Sequence, residues 1–406
     1  MRRTLFLASA GLSLLAGCHD RTLKVCDITQ PDCQQDIYYA DLSLRGDGYD
    51  PFAGIPPIRT ITEDEYRAKL EADAAKQPPE PAWLDAGLAL MGLLPATADT
   101  QSASIDNQVQ NTAAVFYPDT HDVFVIAHPE LNTDPRDNMS YLAHELIHAL
   151  QDREINLHSQ PQTSDEYFAY KALIEGDASL YQILFLYELP LPATVSRDPL
   201  TIFSRWRQDN LSDDPSLQDN FASLGPPFYA AFWLVYPLGG VWLSDSWDKG
   251  GNTAVRHAYG KAPQRSLDYL LGPGVAAPAS KNISCGPTAP AEFKQSDGTA
   301  YDADSFGAIY LFAYLMAWNV PASDALSSSL LWRYDVIFFF YNQSTQKTAV
   351  TWRIELDSPL PASVLAALTT SAGPRVVQNG TTLLITNSDD PAFLSTWDPW
   401  SACPFP

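Results

Sequence analysis

His144-Glu145-Leu146-Ile147-His148 packs two imidazoles and a carboxylate into five residues. Side chains four apart on an α-helix project from one face, one turn above each other. Two imidazoles so placed can hold one divalent ion, and zinc suits this ligand type and spacing. The glutamate between them sits where it can take a proton from a water at that ion. Met139-Ser140-Tyr141-Leu142-Ala143 before the motif and Ala149-Leu150-Gln151-Asp152 after it continue an apolar helical face, with no proline or glycine to break it. Leu146 and Ile147 are uncharged, as a buried helix requires.

A zinc centre that does chemistry needs a third protein ligand and an open position. In the metzincin arrangement a glycine and a histidine follow the second ligand by three and six residues; here Gln151 and Glu154 stand there, which excludes that class. The better third ligand is Glu175, in Ala172-Leu173-Ile174-Glu175-Gly176-Asp177-Ala178. Thr163 and Glu166 read as a capping box opening that helix, and its apolar pattern runs on to about Leu189. Gly176 costs roughly 1 kcal/mol against alanine in mid-helix, so it is expected to serve a close approach to the His144/His148 helix. Glu154 and His158 are weaker substitutes, too near the end of the motif's own helix to reach round.

His-Glu-x-x-His with a glutamate on a downstream helix resembles the gluzincin clan of zinc metallopeptidases, which includes the thermolysin-like enzymes. Residues 144–152, with Glu175-Gly176-Asp177-Ala178, are more similar to a set of poorly characterised bacterial proteins with this motif, several of them lipoproteins. The likeness continues through Tyr236-Pro237-Leu238-Gly239-Gly240 and Gly250-Gly251-Asn252-Thr253-Ala254-Val255, and returns weakly at Trp332-Arg333-Tyr334-Asp335. The resemblance implies that His144, His148 and Glu175 hold zinc (Zn2+), that Glu145 is the general base, and that peptide bonds are hydrolysed. The thermolysin pattern puts an aspartate four residues after the ligand glutamate, to orient the first histidine; Ser179 stands there, leaving Asp177 or Asp152 for that role. A tetrahedral oxyanion also needs a donor beyond the metal. Tyr236 is the first choice, with His257, Tyr229 and Tyr259 behind it.

Upstream, Ala113-Ala114-Val115-Phe116-Tyr117 and Asp122-Val123-Phe124-Val125-Ile126-Ala127 flank Pro118-Asp119-Thr120-His121 and read as a hairpin. The resemblance makes this an edge against which an extended peptide or protein substrate would pair. His121 and His128 are expected to be a turn residue and a strand-end residue, not ligands.

Residues 1–17 read as a signal peptide: Arg2 and Arg3, an apolar run over residues 4–14, and the lipobox Leu15-Ala16-Gly17-Cys18. That run is too short to span a bilayer, which takes about 20 residues. Cys18 is then expected to carry lipid, placing the protein in a bacterial cell envelope; with His19 next, the outer membrane is favoured if the cell is Gram-negative. The lipid would be the protein's one hold on a membrane. Cys26 and Cys33 are expected to close a small loop, and Cys285 and Cys403 to tie down the C-terminal tail, as an oxidising compartment permits. A net charge of −23, two more negative without Arg2 and Arg3, argues against nucleic acid as a partner. Oligomeric state is not legible.

With 406 residues and 46 % apolar content, the chain has material for one large or two medium domains. The expected class is α+β: a tether with a disulfide loop over residues 18–58, a mainly helical metallopeptidase lobe with a small edge hairpin over 59–271, a linker rich in Pro, Ala, Gly and Ser over 272–300, and a smaller α+β lobe over 301–406. Thr62 and Glu65 read as a capping box for a helix to about Lys76, and residues 83–94 as a second helix. Residues 196–210 and 226–236 continue the helical lobe. Beyond the linker, 305–318 and 361–368 read as helices, 335–342 and 349–356 as paired strands, and 375–386 as a hairpin around Asn379-Gly380. Trp332, Trp352, Trp397 and Trp400 read as core, with carbohydrate stacking as a minor alternative. The leading expectation is an exported zinc peptidase. The alternative is a non-catalytic envelope lipoprotein that keeps the fold for binding or assembly.

Overall fold

The computed structural model describes residues 23–46, 54–76, 82–97, 99–127, 134–155, 157, 161–190, 196–217, 220–280, 286–288, 301–342, 344–370, 373–390 and 394–401. The signal peptide, Cys18, His128, His158, Cys285 and Cys403 lie outside these residues. In chain order the elements are α1 (Pro31–Arg45), β1 (Ile58–Thr62), α2 (Glu63–Ala74), α3 (Ala82–Leu90), α4 (Thr100–Asn111), β2 (Ala114–Tyr117), β3 (Asp122–Ala127), α5 (Pro135–Glu154), α6 (Ser164–Glu188), α7 (Pro199–Asn210), α8 (Pro227–Trp233), α9 (Val235–Tyr259), α10 (Ser266–Leu271), β4 (Tyr301–Asp304), α11 (Gly307–Ala317), α12 (Ala322–Ser329), β5 (Trp332–Asn342), β6 (Lys347–Leu356), α13 (Ala362–Thr370), β7 (Arg375–Asn379) and β8 (Thr382–Ser388). The mixture is α+β, with helices predominating and two sheets.

The motif helix α5 starts where local chemistry says it should. The Asp134 carboxylate accepts from the Arg136 amide, Pro135 occupies the first turn, and Asp137 favours the positive end of the helix dipole. Met139, Leu142, Leu146, Ile147 and Leu150 give it a buried face. At the start of α6 the Thr163 hydroxyl accepts from the Glu166 amide, while the Glu166 carboxylate takes the Gln162 amide rather than that of Thr163. The Thr62/Glu65 box at α2 is complete.

The expected hairpin is present. β2 and β3 pair antiparallel, and β1 joins β3 in parallel to give the order β1-β3-β2. His121 sits in the turn, with its backbone at φ 54°.

Residues 18–58 are not simply a tether. The Cys26–Cys33 disulfide forms as expected, but Pro31–Arg45 is a helix that buries Ile37, Tyr38, Asp41 and Arg45 against α5 and α6. Gly176 corrects a second expectation. A Cβ there would come within 2.3 Å of the Gly239 carbonyl carbon, so the close neighbour is α9 and not α5. The reciprocal Cβ on Gly239 would meet the Ala172 carbonyl oxygen at an impossible 1.8 Å. Backbone lies on both sides of this crossing, so nothing can rotate away. Gly239→Ala is therefore expected to cost about 3 kcal/mol, the upper end of overpacking, as a lowered denaturant midpoint with unchanged slope.

The second sheet is antiparallel in the order β4-β5-β6-β8-β7. Its inner face packs on α11, whose residues from Gly307 to Leu315 are all buried. One core runs from Leu88 through Phe168, Leu238 and Leu270 to Phe339 and Ile385, so residues 301–406 share their main core with the helices before them. Trp332, Trp352, Trp397 and Trp400 are buried, which removes the stacking alternative. Where α6, α10 and α11 meet, the Asp165 carboxylate is buried and accepts from the Ser266 amide (2.9 Å) and hydroxyl.

Burial lifts Asp165 to about 7 against the pull of the Ser266 bonds. The native state therefore keeps a proton that the unfolded chain releases near pH 4. Between these values stability falls as pH rises, by up to about 1.4 kcal/mol per unit, and the contribution is flat above pH 7. Subtracting an Asp165→Asn unfolding profile from that of the parent, measured from pH 4.5 to 8, should isolate this slope. A difference independent of pH would show that Asp165 is ionised throughout.

Candidate metal centre

Both histidines of the motif point inward from α5, and α6 brings Glu175 to them. His144 Nε2 and His148 Nε2 are 3.1 Å apart. Glu175 Oε2 stands 3.2 Å from the first and 3.3 Å from the second. Ligand atoms held about 2.0–2.1 Å from one tetrahedral ion lie roughly 3.3–3.4 Å from each other, so this triangle has the size of one face of a zinc site. Glu145 is the motif's remaining acid, and its carboxylate lies with the two imidazoles in a group spanning no more than 4.8 Å. It belongs to a different contact, because Glu145 Oε2 accepts from the Phe116 amide of β2 at 2.7 Å.

Hydrogen bonds behind the imidazoles decide what faces the triangle. Gln151 Nε2 donates to the Ile174 carbonyl (3.0 Å) and to Asp177 Oδ2 (2.8 Å), which turns Gln151 Oε1 towards His148 Nδ1 at 2.7 Å. That ring nitrogen must therefore carry the hydrogen. The Ser140 hydroxyl donates to the Asp137 carbonyl and accepts from Gln182 Nε2. Gln182 Oε1 is thereby left for the His144 Nδ1 hydrogen at 3.2 Å. With both Nδ1 atoms donating outward, two Nε2 lone pairs and a carboxylate oxygen converge on one point. Three acceptors at such range repel unless a cation lies among them.

In metal-free protein the smallest such cation is a proton. Burial opposes charge on His148, but the Glu175 carboxylate outweighs it and raises the imidazole to about 9. Burial likewise opposes charge on Glu175, yet Lys171 and His148 hold it well below the usual carboxylate range. A metal entering here must displace that proton.

No protein-family model matches this chain, nor does any curated protein or solved structure.

The site opens into a cavity of about 750 Å³ whose lining includes His144, Glu145, Lys171, Glu175, Tyr229 and Tyr236. Tyr236 is brought to the metal site: its ring centre lies 6.2 Å from that of His144, and 6.2 and 5.9 Å from the indoles of Trp206 and Trp233. The charge of Glu175 and then burial push its phenol well above the ordinary value, so it stays a hydrogen-bond donor. His257 is not brought there. It is exposed, beyond a break in α9 where Gly250 and Gly251 leave helical geometry, and it lines no part of this cavity. Tyr259, its near neighbour, instead donates to Asp177 Oδ2 at 2.6 Å.

The partners of the histidines were the part least legible in sequence. Neither aspartate touches the first histidine: Asp177 supports His148 through Gln151, while Asp152 pairs with His121 at 2.9 Å. Glu154 is held by Arg45 at 3.2 Å. The helical spacings of Gln151 from His148 and of Gln182 from Glu175, one and two turns on the same faces, are signals that could have found both glutamines. Arg45 could not have been found this way. It comes from α1 to pair with Asp177 at 2.6 Å, with both side chains buried.

Proposed function

We propose that this protein is a zinc-dependent hydrolase of peptide bonds, exported and held to a bacterial envelope by lipid on Cys18. The observation that carries the catalytic reading is the triangle of His144, His148 and Glu175, with both imidazoles fixed as Nδ1–H tautomers. The lipobox and the acidic surface support the location and argue against nucleic acid as substrate.

These residues fit zinc by ligand type, spacing and outward hydrogen bonding. Bound there, zinc would supply Lewis acidity to water and to a substrate carbonyl. The remaining work falls to the chain. The Phe116 amide aims the Glu145 carboxylate, which accepts a proton from the attacking water and returns it to the departing nitrogen. Tyr236, kept protonated and packed beside Trp206 and Trp233, donates to the oxygen that gains charge. The outer edge of β2 has no strand beside it among the described residues, and its main-chain groups other than the Phe116 amide, which Glu145 takes, are available to an extended peptide.

Elemental mass spectrometry tests this reading. The purified protein should hold about one zinc per chain, and His148→Ala and Glu175→Ala should each lose most of it. Failure of the parent protein to take up zinc on reconstitution would overturn the enzyme and leave a lipoprotein with a binding or assembly role.

A further inference from the structure

We propose that Lys171 anchors a substrate carboxylate, so that the cavity receives a peptide's free C-terminal residue with its large apolar side chain. This rests on the zinc-hydrolase reading and names the substrate class for that same site.

Lys171 lies one turn before Glu175 on α6, and its Nζ donates to Glu175 Oε1 at 2.5 Å. Glu175 Oε2, the other oxygen of that carboxylate, faces the imidazoles. An ammonium beside a metal ligand repels the metal, so Lys171 is a cost to the centre unless something offsets it. Among the described residues that line the cavity, the formal charges are Glu145, Glu175 and Lys171. With a dication beside the two glutamates and the ammonium, the formal charges sum to +1, which favours one further anion. The ammonium carries three hydrogens, of which Glu175 takes one.

Reach and shape agree. In a peptide's last residue the carboxyl carbon lies three bonds, or about 3–4 Å, from the scissile carbonyl carbon. Lys171 Nζ is 2.5 Å from one oxygen of a carboxylate whose other oxygen faces the imidazoles, so a carboxylate held by Lys171 would lie next to the metal site. The lining also holds the aromatic side chains of Trp206, Phe232, Trp233 and Tyr236. A space of this size suits a ligand of a few residues whose side chain is apolar and whose charge is localised.

Calorimetry on zinc-loaded Glu145→Gln protein tests this, because binding is read without turnover. The ligands are N-acetyl-glycyl-phenylalanine and its C-terminal amide. The acid is expected to bind about tenfold tighter or more, as a charge-assisted contact would give. Adding Lys171→Met should abolish that preference, and Lys171→Arg should restore part of it. Equal binding of acid and amide, or a preference that survives Lys171→Met, overturns the proposal. Repeating the comparison without zinc separates the two readings. A chain that takes up no zinc yet prefers the acid through Lys171 sinks the hydrolase and keeps the anchor.

Discussion

Glu145→Gln in the zinc-loaded protein is expected to lower peptide hydrolysis about a thousandfold while zinc content stays unchanged. The size follows from the role, since a positioned general base contributes about 10²–10⁴ in rate. The separation of the two effects follows from geometry. Glu145 is not a corner of the metal triangle, and its bond from the Phe116 amide can be kept by the glutamine oxygen. Paired turnover and metal analysis of parent and variant decide it. Equal turnover would remove Glu145 from the chemistry, and zinc loss in the variant would make it a ligand instead.

Asp177→Ala is expected to cost about 3–5 kcal/mol of folding stability, and about 10–100-fold in zinc affinity. The first figure is that for removing one partner of a buried ion pair, and its lower end is expected because Arg45 keeps Glu154 at 3.2 Å. Arg45, with a side chain only 2 % exposed, would lose its 2.6 Å partner. The second is that for losing support behind a metal ligand: without Asp177, Gln151 loses an acceptor and orients His148 less firmly. Tyr259 would lose its acceptor too. Thermal unfolding with and without zinc, alongside competition with a chelator, measures both. If Asp177→Ala unfolds like the parent, Arg45 has found water and the outer layer of the site is not built as described. Asp177→Asn keeps an acceptor for Gln151 but not the charge for Arg45, so it should recover zinc affinity better than stability.

How far the sequence reached depends on the range of the physics behind each feature. His144, Glu145 and His148 were legible because helical periodicity puts them on one face, and Asp134 and Pro135 at the helix start act within a turn. The strands around Asn379-Gly380, the hairpin before α5 and the Thr62/Glu65 box were legible for the same local reason. Glu175 required one inference about a neighbouring helix, and α6 places its Oε2 3.2 and 3.3 Å from the two imidazoles.

Contacts between distant segments were not legible. The helix at residues 31–45 shows little periodicity, and only docking onto α5 and α6 gives Arg45 its partner Asp177. Gly176 announced a close crossing but not with which helix; Gly239 decided that. Tyr236 as first choice of donor and His257 behind it lay on one stretch of chain, and only the break at Gly250 and Gly251 and the packing of α9 separated them in space. Sequence by itself determined which atoms could bind a metal, since ligand chemistry and helical spacing are properties of a few adjacent residues. Only the tertiary structure decided that their lone pairs converge, because the glutamine amides, the buried Arg45–Asp177 pair and the Lys171 ammonium act across space, and the fold alone sets those distances.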